Sequence, residues 1–132
     1  MIVVKIVNTS EVVNQRIKEL DSIKTMMSRG VYSRAMYHIE KYMNKYPDDT
    51  FGQFTYGMFL INVRQLEDAK KVFENIIYSD AKNKYSAMVR LGEIAVKENN
   101  LELGKIYLKK AIDESPIKEY YALISLARIY RR

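Results

Sequence analysis

The stretch LGEIAVKENNLELGKIYLKKAIDESP, residues 91–116, reads as two amphipathic helices parted by Asn99-Asn100. Its small residues, Gly92, Gly104 and Ala111, stand among Leu91, Leu101 and Leu108. Two antiparallel helices approach closely only where one of them presents almost no side-chain volume. Gly92 on the first and Gly104 on the second would therefore let ridges enter grooves, with the leucines filling the space around them. A single pair of this kind is weak support, because amphipathic helices satisfy loose patterns easily; its recurrence decides the matter. Gly57 and Ala69 stand at the same spacing of twelve as Gly92 and Gly104, and Ala35, Ala69 and Gly104 are followed, again at twelve, by Pro47, Ala81 and Pro116. The register is a repeat of 34 to 35 residues.

Working outward, strand patterns are nearly absent beyond the first seven residues, while apolar residues recur at spacings of three and four almost everywhere else. The chain reads as all-α. Turn signals at Gly30, at YPDD (46–49), at Val63-Arg64, at SDAKN (79–83), at Asn99-Asn100 and at Ser115-Pro116 divide it into about seven antiparallel helices, the first of them the longest.

This pattern resembles the tetratricopeptide repeat, in which a Leu-Gly pair is followed by large and small residues in alternation and a closing proline. The second copy matches through Tyr56, Gly57, Leu60, Leu66, Ala69 and Phe73, and the third through Leu91, Gly92, Leu101, Gly104, Leu108, Ala111 and Pro116. The first copy matches in its second half, through Gly30, Tyr32, Ala35, Ile39 and Pro47, and carries Ile23 where the others have glycine. The resemblance implies an α-α superhelix, a solenoid with repeats at about 16–49, 50–84 and 85–119. A capping helix over 120–132 covers the last pair with Leu123, Leu126, Ala127 and Tyr130 and turns Arg128, Arg131 and Arg132 outward. We therefore expect an apolar segment over 1–8 and a single helical domain over 9–132, in a natural protein that is free to continue past Arg132.

Composition narrows the chemistry. The 132 residues contain no cysteine and one histidine, His38, which leaves neither disulfides nor a thiolate or paired-imidazole metal site. A cysteine-free chain fits the reducing cytoplasm, and the opening MIVVKIV is too short an apolar run for a signal peptide. The longest uncharged run, residues 50–63, falls short of the ~20 residues that cross a bilayer. The net charge of +6 is spread along the chain and mixed with acids, as on a solvated helical surface. No glycine-rich phosphate loop and no nucleophile-histidine-acid set stands out. Asp48-Asp49, after Pro47, reads as a helix start whose carboxylates accept from free backbone N–H groups. His38 is expected to face outward, so no cofactor, no metal and no catalytic residue is expected.

In an array of this kind the first helix of each pair lines a groove, at the second, fifth, ninth and twelfth positions of the repeat. Those positions hold Ile17, Leu20, Lys24 and Met27; Phe51, Phe54, Met58 and Ile61; Ser86, Val89, Glu93 and Val96; and Tyr121, Ile124, Arg128 and Arg131. The expected partner-binding residues are Lys24, Met27, Phe51, Phe54, Met58, Ile61, Val89, Arg90, Glu93, Tyr121, Ile124 and Arg128. Apolar groove residues call for a cover, since exposing them costs ~25 cal/mol per Å²; the same residues would equally serve to thicken a core between curved repeats. Some relatives grip the carboxylate of a chaperone tail, and of their five gripping positions only Arg90 matches, the others holding Leu20, Lys24, Thr55 and Ser86. An apolar or amphipathic peptide or helix segment fits this groove better.

Two further readings remain open at this level. MIVVKIV (Met1–Val7) precedes an expected helix start at Asn8, where Glu11 would complete a capping box and Val7 would staple against Val12. The segment would then pair with a second copy as a strand, giving a homodimer, or lie in its own groove, or fray. The rival function is single-stranded RNA binding by a pentatricopeptide-like repeat, with some of the 11 tyrosines stacking on bases. Gly57, Gly92 and the YPDD and ESP repeat ends count against it.

Overall fold

The computed structural model describes residues 2–115 and 120–131, and side chains for 11–115 and 122–131. Among them run seven helices: α1 (Ile2–Ser28), α2 (Tyr32–Lys45), α3 (Thr50–Asn62), α4 (Leu66–Ser79), α5 (Lys84–Lys97), α6 (Leu101–Glu114) and α7 (Tyr120–Tyr130). The all-α expectation holds. Pro116 and the three residues after it, Met1 and Arg132 lie outside the described residues, as do the side chains of Val7 and Tyr121.

The repeat is legible in the backbone itself. α1, α3 and α5 end in the same left-handed turn, at Gly30 (φ 75°), Arg64 (φ 68°) and Asn99 (φ 68°). Each turn satisfies two orphan carbonyls. Gly30, Arg64 and Asn99 donate N–H to the carbonyls of Met27, Ile61 and Val96 at 3.1, 3.1 and 3.0 Å. Val31, Gln65 and Asn100, the next residues, donate to Met26, Leu60 and Ala95 at 2.9, 2.8 and 2.8 Å. This is the paired bonding that closes a helix through an αL residue. Asn100 then caps α6, its side-chain oxygen accepting the Leu103 N–H at 3.2 Å.

The chain divides into two compact units, residues 1–55 and 56–132, with the boundary inside α3. In the first, α1 begins at Ile2, not at the expected Asn8, so the capping box at Glu11 does not form and residues 2–7 are helix, not the strand that was one of the three readings of this segment. The β-branched residues of this stretch lower helix propensity only slightly, and no Gly or Pro interrupts it. Leu20, Ile23, Met27, Ala35, Ile39 and Tyr42 form the buried apolar positions of α1 and α2. Ile23, the departure from the glycine pattern, is therefore a core residue. Arg16 stacks its guanidinium 4.1 Å from the centre of the Tyr46 ring, and Lys45 pairs with Glu19 at 3.3 Å. The expected helix start at Asp48-Asp49 is made by Asp49. Its Oδ2 accepts the Gly52 N–H at 3.3 Å and also the Tyr42 hydroxyl proton.

In the second unit, a Cβ on Gly57 would lie 2.6 Å from Phe73 Cζ, and one on Gly92 would lie 2.9 Å from Leu108 Cγ and 3.3 Å from the Gly104 carbonyl. Gly57 and Gly92 are the close-approach sites that the register predicts. Gly104 is the reciprocal site, 2.8 Å from Val96 Cγ2 by the same measure. Met88, Val89, Leu108, Ala111, Ala122 and Ile129 form one buried cluster, so α7 docks through Ala122 and Ile129 onto α5 and α6. At the edge, Lys70 of α4 bridges Glu67 and Glu98, 2.8 Å from each.

Candidate functional site: the exposed face of the first helices

The groove residues expected from the register divide by burial. In the first unit Lys24 and Phe51 are exposed and Phe54 is half-buried. Phe51 is 64% exposed, on the first turn of α3. Met27 is buried with Leu20 in the core, so it offers nothing to a ligand. In the second unit Met58, Ile61, Arg90 and Glu93 are half-buried, and Ile124 and Arg128 are exposed. Val89 is a core residue, packed in the cluster that Ala122 of α7 closes. Met27 and Val89 leave the candidate site because their side chains are taken up in packing, Met27 among the buried residues of α1 and α2 and Val89 in the cluster of α5, α6 and α7. Tyr121 lies on α7, with its side chain outside the described ones.

What remains in the second unit is a polar link between two first helices. Arg90 Nη1 donates to Glu93 Oε2 at 2.9 Å along α5, and the Ser125 hydroxyl of α7 donates to Glu93 Oε1 at 3.4 Å. Glu93 is thus held from both sides, with Ile124 and Arg128 beside Ser125 in sequence. Neither Ser125 nor this link was anticipated. Serine carries little pattern in a sequence, and only the helix register places it opposite Glu93. In the first unit Gly52 was also missed: a Cβ there would lie 2.6 Å from Tyr42 Cε1, so this glycine admits the Tyr42 ring just where Asp49 accepts its hydroxyl.

The titratable groups have structural roles. Burial pushes the Tyr42 hydroxyl well above the usual phenol range, and its hydrogen bond to Asp49 adds to the effect. The hydrogen bond from Lys70 holds Glu67 below the usual carboxylate range. His38 is half-buried, with its ring edge-on to Tyr37 at 5.2 Å. Among the described residues, no group of three or more His, Cys, Asp or Glu is placed to hold a metal ion, and no helix is long and apolar enough to cross a membrane.

No family model matches the chain. A TPR repeat-containing protein of Methanocaldococcus jannaschii is 33% identical over 81 residues, which is 61% of this chain and 25% of that protein. The chain therefore matches about a quarter of the length of that relative. Among solved structures, the N-terminal domain of stress-induced protein-1 (STI-1) from C. elegans superposes with a TM-score of 0.64 at 15% identity, covering 89% of this chain and 95% of that one. The all-α fold agrees with these likenesses.

Proposed function

We propose that this chain, whose repeats are of tetratricopeptide type, is a non-catalytic interaction module that holds a peptide or helix segment of another protein against its first helices. The observation that carries the reading is Phe51, 64% exposed at a groove position while the buried residues of the same copy, such as Ala69 and Phe73, are fully covered. A phenylalanine kept in water costs ~25 cal/mol for each Å² left uncovered, and a partner's apolar side chain removes that cost. The second unit, taken by itself, also exposes an apolar residue at a groove position, Ile124 of α7. A cytoplasmic setting, in keeping with a chain that carries no cysteine, belongs to this proposal.

Selection of binders from a random peptide library, followed by titration of the selected peptide, tests it. Phe51→Glu should weaken the peptide at least tenfold with helical circular dichroism unchanged. Single-stranded RNA binding that falls steeply with salt, with no peptide enriched, would replace this reading by the nucleic-acid one.

A further inference from the structure

We propose that the seam between α1 and α2, in the first unit, is a binding site for a condensed phosphate chain. Residues 15–29 and 31–45 enclose two adjoining hollows, of about 320 and about 350 Å³, that share Ser22. Lys18 and Glu19 of α1 and His38, Lys41 and Lys45 of α2 line the first, over the buried Ile23 and Tyr42. Arg29 and Arg34 line the second, with Ser22 and Thr25. Residues 1–55 carry eight Lys and Arg and six Asp and Glu. Among the described residues, five of the cations line the seam and one of the acids does, Glu19. Glu19 pairs with Lys45 at 3.3 Å, while Lys18, Lys41, Arg29 and Arg34 have no ion pair among the described residues. This polarity belongs to the residues of the seam themselves. In the same register α5, which packs against both α4 and α6, carries Ala87, Met88, Leu91 and Ile94 where α1 carries Lys18, Glu19, Ser22 and Thr25, and all four are at most 5% exposed. A face made to receive a helix repeats that apolar set; the residues of α1 suit a charged ligand instead.

Charge states the class of the ligand. Three lysines less one carboxylate leave the first hollow two positive charges, and the two arginines give the second hollow two more. Adjacent phosphates of a chain, compact and rich in acceptor oxygens, match two charges in so small a space. A carboxylate side chain brings a single charge and needs a polypeptide of its own to set a second beside it. The hollows are offset along α1 by about two turns, roughly 10 Å, so orthophosphate fills one and a chain of several phosphates reaches both. Arginine forks take phosphate oxygens in pairs, and lysines act as point charges. Single-stranded nucleic acid calls for aromatic faces on which its bases stack. The tyrosine in the lining, Tyr42, is buried with its hydroxyl given to Asp49, and offers none.

Calorimetric titration of the full chain with orthophosphate, tripolyphosphate and linear hexaphosphate tests it. Affinity should rise along that series and fall as salt is added. Lys18→Gln with Lys41→Gln strips the first hollow, and Arg29→Gln with Arg34→Gln strips the second. All four residues are exposed and glutamine is as good a helix former, so the melting temperature should not change. Each double variant should weaken hexaphosphate at least tenfold. Lys71→Gln with Lys110→Gln removes as much charge from exposed positions of the second unit and should change the affinity little. A second-unit variant that weakens hexaphosphate as much as the seam variants do would reduce the binding to net charge and overturn the site. So would a hexaphosphate that binds no more tightly than orthophosphate. Single-stranded RNA or poly-glutamate of matched charge that binds more tightly than hexaphosphate, and loses as much in the seam variants, would give the seam to that polymer instead.

Discussion

Gly57 lies against the ring of Phe73 so closely that a Cβ at Gly57 would stand 2.6 Å from Phe73 Cζ and 2.8 Å from Cε2. Phe73 is fully buried. Gly57→Ala gains about 1 kcal/mol in helix propensity and loses about 1–3 kcal/mol to overpacking. Urea denaturation should show a net loss of up to about 2 kcal/mol, and a larger loss for Gly57→Leu. In the Gly57→Ala background, Phe73→Leu should cost less than it does alone, because the smaller side chain makes room for the new methyl.

Arg64 occupies the left-handed turn that Gly30 occupies one repeat earlier. A side chain in that conformation costs roughly 1–2 kcal/mol that glycine does not incur. Arg64→Gly should therefore raise the stability by about 1 kcal/mol, part of the gain being offset by the larger entropy of glycine in the unfolded chain. Asn99→Gly, at the third such turn, should gain less, since asparagine tolerates this region. Thermal melts of the two variants beside wild type check the order.

Tyr42 donates its hydroxyl proton to Asp49, and Asp49 also accepts from the Gly52 N–H. Tyr42→Phe keeps the packing and removes a hydrogen bond to a charged group, at a cost of about 1.5–3 kcal/mol. Because the hydroxyl is held above its ordinary range, its contribution is whole below the unfolded value of about 10 and is lost as pH rises toward the folded one. Wild type should therefore lose stability in alkali faster than Tyr42→Phe does. Chemical denaturation across that range measures the difference.

Lys70 ties Glu67 of its own helix to Glu98 after α5. Its hydrogen bond lowers the Glu67 carboxyl, so the stabilisation is present above the ordinary carboxylate range and fades as pH falls through the lowered value. Lys70→Met should lower the melting temperature slightly at neutral pH and low salt, and should match wild type in strong acid. High salt should shrink the neutral-pH difference as well, since the bridge is partly exposed.

Much of this fold was legible in the spacing of small residues, because close helix approach has few solutions and glycine at 57, 92 and 104 is one of them. The turns at Gly30, Val63-Arg64 and Asn99-Asn100 were legible for a related reason, as breaks in helical periodicity. The beginning of α1 was not. β-branched composition suggested an extended segment, yet with no breaker before Asn8 the helix continues back to Ile2. The candidate site was legible in part. Register names the helices that line it, but Met27 and Val89 share their apolar character with Phe51 and Ile124, and only packing separates the buried pair from the exposed one. Gly52 and Ser125 were missed because each acts through a single contact, with Tyr42 and with Glu93.

The central claim is that the exposed apolar residues of the first helices hold a polypeptide partner, and the affinity of a library-selected peptide for wild type and for Phe51→Glu, at low and high salt, tests it most directly. Binding should change little with salt and drop at least tenfold in Phe51→Glu, with both proteins equally helical. Equal affinity of the two proteins for the peptide would contradict it.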